Sequence, residues 1–302
     1  MKSDWLKFKI NYRKSEVKIW QILVIIILIV IVFLWTGYQK STHGLLKISV
    51  FDIGQGDAIL IQTPNNQQIL IDGGPGKSII DKLGDELSFW DRNIDMIIST
   101  HPHADHLSGL IEVLNRYKVD QIMTLDTDYD SAEYRAWKDY LEQFSGNIVY
   151  ANTGQEIEVL DFIFEVIFPD QEYLQIKQDN INNSSIILKI EYGNFSMLFT
   201  GDAECKEQMQ FLDQDIDIDV LKVPHQGAKD GGCKEFLQAT TPEKAIISVG
   251  RDNQFGHPHK EHLDLLSDLI PDREGREIFR TDKDGDIFIF SDKDKYWIET
   301  DK

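Results

Sequence analysis

The stretch STHPHADHLSGL, residues 99–110, sets His101, His103, Asp105 and His106 within six positions. The 302-residue chain has only eight histidines, and a solvated loop has no need of three in one short run. The run follows IDMIIST, which reads as a buried strand, and opens HLSGLIEVLNRY, whose apolar spacing is helical. A chain carrying this motif must bring a strand end and a helix start together. At a period of two, His101 and His103 project to one side of an extended segment. Asp105 and His106 begin the helix and point in from another direction. Two ligand pairs then face one another, and imidazole with carboxylate suits Zn2+, Mn2+ or Fe2+.

The rest of the pattern is mixed α/β. LLKISVFDI, DAILIQT and QILIDGG read as strands, residues 77–88 as a helix, QIMTL as a strand, SAEYRAWKDYLEQF as a helix and NIVYA as a strand. Two hairpins follow: QEIEVL with FIFEVIF, turned at Asp161, and SSIILKIEY with FSMLFT, turned at Gly193-Asn194. A helix from about Glu204 to Leu212, strands IDVLKV and KAIISV, helix HKEHLDLLSDL and a last hairpin around DKDGD complete the chain. Two strand-rich halves, each accompanied by helices, predict a two-sheet sandwich with outer helices.

The first forty residues differ in character. Residues 19–35 are apolar except for Gln21, with Trp20 and Trp35 near the ends. Their number lies at the short end of the roughly 17–25 residues that span a bilayer as a helix. Lysines and an arginine dominate residues 1–18, so the positive-inside rule predicts a cytoplasmic segment 1–18, a single-pass anchor over 19–36 and an extracytoplasmic domain over 41–302. The whole chain carries a formal charge of −20. Its N-terminal forty residues are net basic, so the remainder is more acidic still, which works against non-specific nucleic-acid binding. Cys205 and Cys233 form neither a disulfide framework nor a CxxC zinc pair.

STHPHADHLSGL resembles the signature of the metallo-β-lactamase fold hydrolases. FDIGQGDAILIQTPNNQQILIDGG, NNSSIILKIEYGNFSMLFTGD, DVLKVPHQGAKDG and IISVGRDNQFGHP are similar, in the same order, to the extracytoplasmic domain of the ComEC/Rec2 competence proteins. The resemblance implies an αββα sandwich with two divalent ions, Zn2+ or Mn2+. It assigns His101 and His103 to the first ion, Asp105 and His106 to the second, and Asp202 as a bridge. It implies His225 as a further ligand of the second ion. The family's middle histidine is missing here, and Asn183 is the nearest substitute. A second histidine after His225 is replaced by Gln226. Asp72 is expected to orient His103 or another ligand through a hydrogen bond, and Asp52, Gln55 and Asp57 to shape or support the site.

His257 matches the family's GHP element. It and Lys229 are expected to stabilise a leaving oxygen, beside Asp105 and Asp202 as catalytic groups. Pro258 reads as the first turn of a helix, which sends His259 and His262 to the surface. The resemblance thus implies a metal-dependent phosphodiesterase or nuclease acting on a phosphodiester such as single-stranded DNA, with DNA-uptake or envelope proteins as partners. The alternatives are a cell-envelope phosphoesterase, such as one releasing choline phosphate from teichoic acid, and a metal-stabilised, non-catalytic partner in DNA uptake or envelope assembly.

Overall fold

The computed structural model describes residues 19–35, 44–159, 162–175, 180–270 and 277–302. The basic segment 1–18, the end of the expected anchor at Thr36, the start of the expected domain at 41–43 and the hairpin turn at Asp161 lie outside them. Two units are distinguished: Met1–Ser41 with Glu86–Asp91, and Thr42–Asp85 with Arg92–Lys302. In the first, residues 19–35 form helix α1, whose large apolar side chains are exposed along its length. At 1.5 Å per residue it is about 25 Å long, against about 30 Å of hydrocarbon. Among the described residues no helix is long and apolar enough to cross a membrane. The expected spanning helix therefore finds no support in the described segment.

The second unit opens with β1 (Leu46–Val50), β2 (Ile59–Gln62), β3 (Gln68–Ile71), helix α2 (Ser78–Glu86), β4 (Asn93–Ile98), α3 (Ala104–Leu114), β5 (Lys118–Thr124), α4 (Ala132–Gln143) and β6 (Asn147–Tyr150). There follow β7 (Glu156–Val159), β8 (Phe162–Phe168), α5 (Gln171–Gln175), β9 (Ile187–Tyr192), β10 (Phe195–Phe199), α6 (Cys205–Gln208) and β11 (Val220–Lys222). Then come α7 (Lys234–Thr240), β12 (Lys244–Ile247), α8 (Lys260–Leu269), β13 (Ile278–Arg280), α9 (Thr281–Asp284), β14 (Ile287–Ser291) and β15 (Tyr296–Thr300). One sheet runs β15-β14-β1-β2-β3-β4-β5-β6, the other β13-β12-β11-β10-β9-β8-β7.

Alternation decides which side chains lie between the sheets. Phe195, Met197 and Phe199 of β10 pack into the core shared with Ile48, Ile61 and Ile98, while Leu198 turns to the outer core with Phe211, Phe236 and Leu266. Burying each such side chain is worth about 1.5–3 kcal/mol. The strands β3 to β6 are parallel, as are β10 to β13, so both sheets send several carboxyl ends toward one edge.

Two expected elements differ. The helix after Asp202 is only one turn, α6, before the chain bends away. DKDGD is not a hairpin: it runs from α9 into Asp286, because its acids serve as acceptors. Asp284 Oδ2 takes the Arg280 N–H at 2.7 Å, and Asp286 takes Lys82 Nζ and the Asp52 N–H, each at 2.7 Å to Oδ1. The last hairpin, β14 with β15, turns instead at residues 292–295.

Candidate metal centre

All the predicted site residues but Asn183, which lies in a turn before β9, come from five strand ends. Asp72 follows β3. The loop after β4 carries His101 and His103, and α3 starts with Ala104, Asp105 and His106. From the opposite sheet, Asp202 lies beyond β10, His225 beyond β11 and His257 in the loop beyond β12. This is the carboxyl edge where α/β sheets bind ligands. The strand delivering the histidines stops at Ile98, so His101 and His103 lie in the loop just beyond it, where the His103 backbone is extended. Their rings still converge, with His101 Nε2 3.2 Å from His103 Nδ1.

Asp202 is the centre of the cluster. Its Oδ2 lies 3.3 Å from His106 Nε2, 3.8 Å from His101 Nε2 and 3.9 Å from His225 Nε2. His101, His106 and Asp202 are buried and offer three ligand atoms to one point. Asp105 Oδ2 is 3.9 Å from His106 Nε2 at the mouth and accepts the Gln226 Nε2–H at 3.2 Å.

Asp72 settles the tautomers. Its Oδ2 accepts from His106 Nδ1 at 2.8 Å and from the Thr100 hydroxyl at 2.6 Å, and its Oδ1 accepts the Thr100 N–H at 2.9 Å. Because the Thr100 hydroxyl gives its proton to Asp72, it can only accept from His101 Nδ1, 3.1 Å away. Both imidazoles thus keep their protons on Nδ1 and turn Nε2 into the cluster. Asp72 therefore serves His106 directly and His101 through Thr100, rather than His103.

The electrostatics follow from burial and crowding. Burial pulls His101 well below the ordinary histidine range, with the charge of His106 adding to it. Burial also lowers His103. On His106 burial acts downward, but Asp202, Asp72 and Asp105 together override it and raise the ring well above its ordinary value. Burial pushes Asp202 up, and His106, His101 and His225 reverse this to hold it well below the usual carboxylate range. The pocket keeps the Asp202 carboxylate charged among imidazoles.

His225 and Gln226 have φ of 47° and 54°, and Gly227 follows at 75°. Non-glycine residues in this region are strained, and such strain collects at functional sites. Here it turns His225 toward Asp202 and Gln226 toward Asp105. The expected amide ligand, Asn183, is buried with an unpartnered Oδ1. Its neighbour Asn182 contacts the cluster, with Nδ2 3.4 Å from His225 Nε2. His257 sits beside His225, ring centroids 5.6 Å apart, and burial lowers its titration. Lys229 is exposed in the turn beyond, and among the described contacts none joins it to the cluster.

His262, expected at the surface, is buried, and its Nδ1 donates to the Ala228 carbonyl at 2.9 Å. Helix α8 starts at Lys260 with His259 as its N-cap, two residues later than the Pro258 reading placed it, and His262 lies on its buried face, one turn before Leu266. Asp57 forms a buried ion pair with Lys222 at 2.7 Å behind His106, Gln55 Oε1 accepts the Gly250 N–H at 2.8 Å, and the Asp52 N–H is held by Asp286. Sequence reasoning missed Asn182, Glu204 and Asp230, which surround His225. Glu204, two residues after the expected bridging aspartate, was the one available signal.

The donor set fits divalent ions. His106 Nε2 and Asp202 Oδ1, both within the cluster, are buried polar atoms without a directed hydrogen bond. Leaving such groups unpaired side by side is costly. A cation ligated by Nε2 lone pairs and a carboxylate removes that cost.

Residues 51–251 match the family described as the Metallo-beta-lactamase superfamily. The chain is 28% identical over 266 residues to ComE operon protein 3 of Bacillus subtilis (strain 168), across 82% of this chain and 33% of that protein. It is 27% identical over 248 residues to Recombination protein 2 of Haemophilus influenzae, across 80% of this chain and 29% of that protein. The chain thus spans about a third of the length of these relatives. Its fold is similar to that of the metallo-beta-lactamase fold protein YhfI from Bacillus subtilis, with a TM-score of 0.51 at 13% identity over 84% of this chain and 100% of that one.

Proposed function

The chain belongs to the metallo-beta-lactamase superfamily, and from that premise we propose that this metal-dependent hydrolase is a phosphodiesterase. The observation that carries the reading is Asp202: a buried carboxylate, held charged, with three imidazole nitrogens within 3.9 Å of one oxygen and its other oxygen unpartnered. His101, His103 and Asn183 on one side and Asp105, His106 and His225 on the other would hold two ions, Zn2+ or Mn2+, with Asp202 shared between them. When bound, such ions supply an activated water and offset the charge that builds on an in-line displacement.

The chain's own groups do the rest. Asp72 and Thr100 keep His106 and His101 in the tautomer that leaves Nε2 free. Gln226 holds Asp105 at the mouth. His257, whose Nδ1 is buried and unpartnered and whose titration burial lowers, would donate a hydrogen bond to a phosphate or leaving oxygen.

The resemblance to competence proteins and the relative named Recombination protein 2 support DNA as the substrate; single-stranded DNA, with DNA-uptake or envelope proteins as partners, belongs to the same proposal. The formal charge of −20 argues for recognition local to the site rather than along a basic track. Membrane attachment through residues 19–36, with 1–18 cytoplasmic and 41–302 outside, belongs to the same proposal. The exposed apolar surface of α1 and the lysines before it favour attachment.

The test is hydrolysis of bis-p-nitrophenyl phosphate by the full chain in detergent, with Zn2+ and with Mn2+. We expect metal-dependent turnover that Asp202→Ala reduces by at least about 100-fold, in line with losses on removing a charge-stabilising group. No turnover with either ion in a protein that binds both contradicts the phosphodiesterase reading.

A further inference from the structure

The two buried imidazoles of the cluster each have a partner for the nitrogen that faces away from Asp202: His106 has Asp72 and His101 has Thr100. His225 has no hydrogen bond at Nδ1, although that atom is shielded from solvent. Its nearest carboxylates are Glu204 Oε1 at 3.7 Å and Asp230 Oδ1 at 3.9 Å, gathered with it into one group. We propose that Glu204, assisted by Asp230, is a positioning residue for His225, accepting its Nδ1 proton so that Nε2 stays free toward Asp202. The inference rests on the reading of His225 as a metal ligand.

Three observations support it. The first is the tautomer. The Asn182 amide Nδ2 can only donate, so at 3.4 Å from His225 Nε2 it requires a lone pair there, which leaves the proton on Nδ1. The second is the anchoring of Glu204. Its Oε1 accepts from Asn180 Nδ2 at 2.6 Å and from Asn182 Nδ2 at 3.3 Å, and its side chain also caps α6 in a reciprocal box with Glu207. A carboxylate held this way stays put when its neighbour moves. The third is the coupling of Asp230 to the same element: its carbonyl accepts the Cys205 N–H at 3.1 Å, which ties the His225 loop to the start of α6. A small rotation of the imidazole closes the few tenths of an ångström that separate 3.7 Å from a hydrogen bond. Such a partner fixes the orientation and raises the basicity of a metal-bound imidazole.

The experiment is a Zn2+ titration of the full chain in competition with a chromophoric chelator, for wild type, His225→Ala, Glu204→Gln and Glu207→Ala. Glu207→Ala removes the other half of the helix cap without touching His225. We expect His225→Ala and Glu204→Gln to weaken the same one of two equivalents, the latter by roughly 10–100-fold, and Glu207→Ala to weaken neither. The visible bands of the Co2+-loaded protein should shift in Glu204→Gln and not in Glu207→Ala. Equal weakening in Glu204→Gln and Glu207→Ala would reduce Glu204 to a helix cap and overturn the proposal. So would an unchanged titration in Glu204→Gln when His225→Ala loses an equivalent. An unchanged titration in His225→Ala would remove His225 as a ligand, and this inference with it. The expected titration in a protein that turns over no phosphodiester supports the role of Glu204 and contradicts only the substrate reading.

Discussion

Asp72 lies just past β3 with φ of 54°, and both its carboxylate oxygens are engaged: His106 and the Thr100 hydroxyl at Oδ2, the Thr100 amide at Oδ1. Asparagine tolerates this backbone conformation, so Asp72→Asn tests the charge and acceptor geometry rather than the fold. We expect it to weaken metal affinity by about 10–100-fold, read by competition with a chelator. Unchanged affinity would mean that Asp72 serves only the loop. Lys222 and Asp57 make a different test. Burial pushes Asp57 above the ordinary carboxylate range and Lys222 opposes it. Replacing the lysine in Lys222→Met strands a buried carboxylate, with an expected loss of about 3–5 kcal/mol in urea denaturation that the double variant with Asp57→Asn largely recovers. At this scale the sequence showed what could be ligand chemistry and not what orients it. The spacing of His101, His103, Asp105 and His106 is a local pattern, legible in one line. The identity of the imidazole that Asp72 serves, the burial of His262 and the gathering of Asn182, Glu204 and Asp230 around His225 depend on contacts between residues far apart in the chain.

Elements place these residues by close approach. The turn after β3 lies directly on α3: the Gly73 N–H donates to the His106 carbonyl at 2.8 Å, and the Gly109 N–H to the Gly74 carbonyl at 2.9 Å. A Cβ on Gly109 would sit 1.7 Å from the Gly73 oxygen. Because backbone cannot yield as a flexible side chain does, Gly109→Ala should push α3 off the turn, separating His106 from Asp72. We expect a lower thermal midpoint together with weaker metal binding, measured by calorimetry and titration. A change in stability alone would show that α3 can shift without carrying His106.

Helix α6 supplies a pH prediction. Burial raises Glu207 to about 7, against the bonds from Tyr173 and the Glu204 amide that favour its charged form. The folded protein thus holds this proton more tightly than the unfolded chain. The group's contribution is fully present below the unfolded value near 4.5 and is lost as pH rises to about 7. The fall in thermal midpoint from pH 5 to pH 7.5 should therefore be shallower in Glu207→Gln than in wild type, and an equal fall would remove Glu207 as the titrating group. The strands were legible because alternation and apolar runs are strong signals. The short α6 and the conversion of DKDGD into α9 were not, since both are decided by which carboxylates find donors elsewhere.

Across the whole molecule, the order of strands and helices pointed to a two-layer sandwich, and the family match over residues 51–251 agrees. The return of β14 and β15 to lie beside β1 was not readable, because local periodicity carries no information on which strands pair. The apolar run of 19–35 was plain in the sequence, but its described helix does not reach the length of a membrane span. Charge, too, belongs at this scale: removing an ion from a cluster of buried ligands should destabilise the fold. A ligand at 100 times its Kd stabilises by about 2.7 kcal/mol, so chelator should lower the thermal midpoint by several degrees, and readdition of Zn2+ or Mn2+ should restore it. The most direct measurement is the number of divalent ions retained per chain after dialysis against metal-buffered solution, by elemental mass spectrometry, for wild type and Asp202→Ala. The account predicts about two ions in the wild type, as the two-metal arrangement requires, and fewer in the folded variant. A folded wild-type protein that retains none would contradict the claim that these histidines and aspartates form a metal centre.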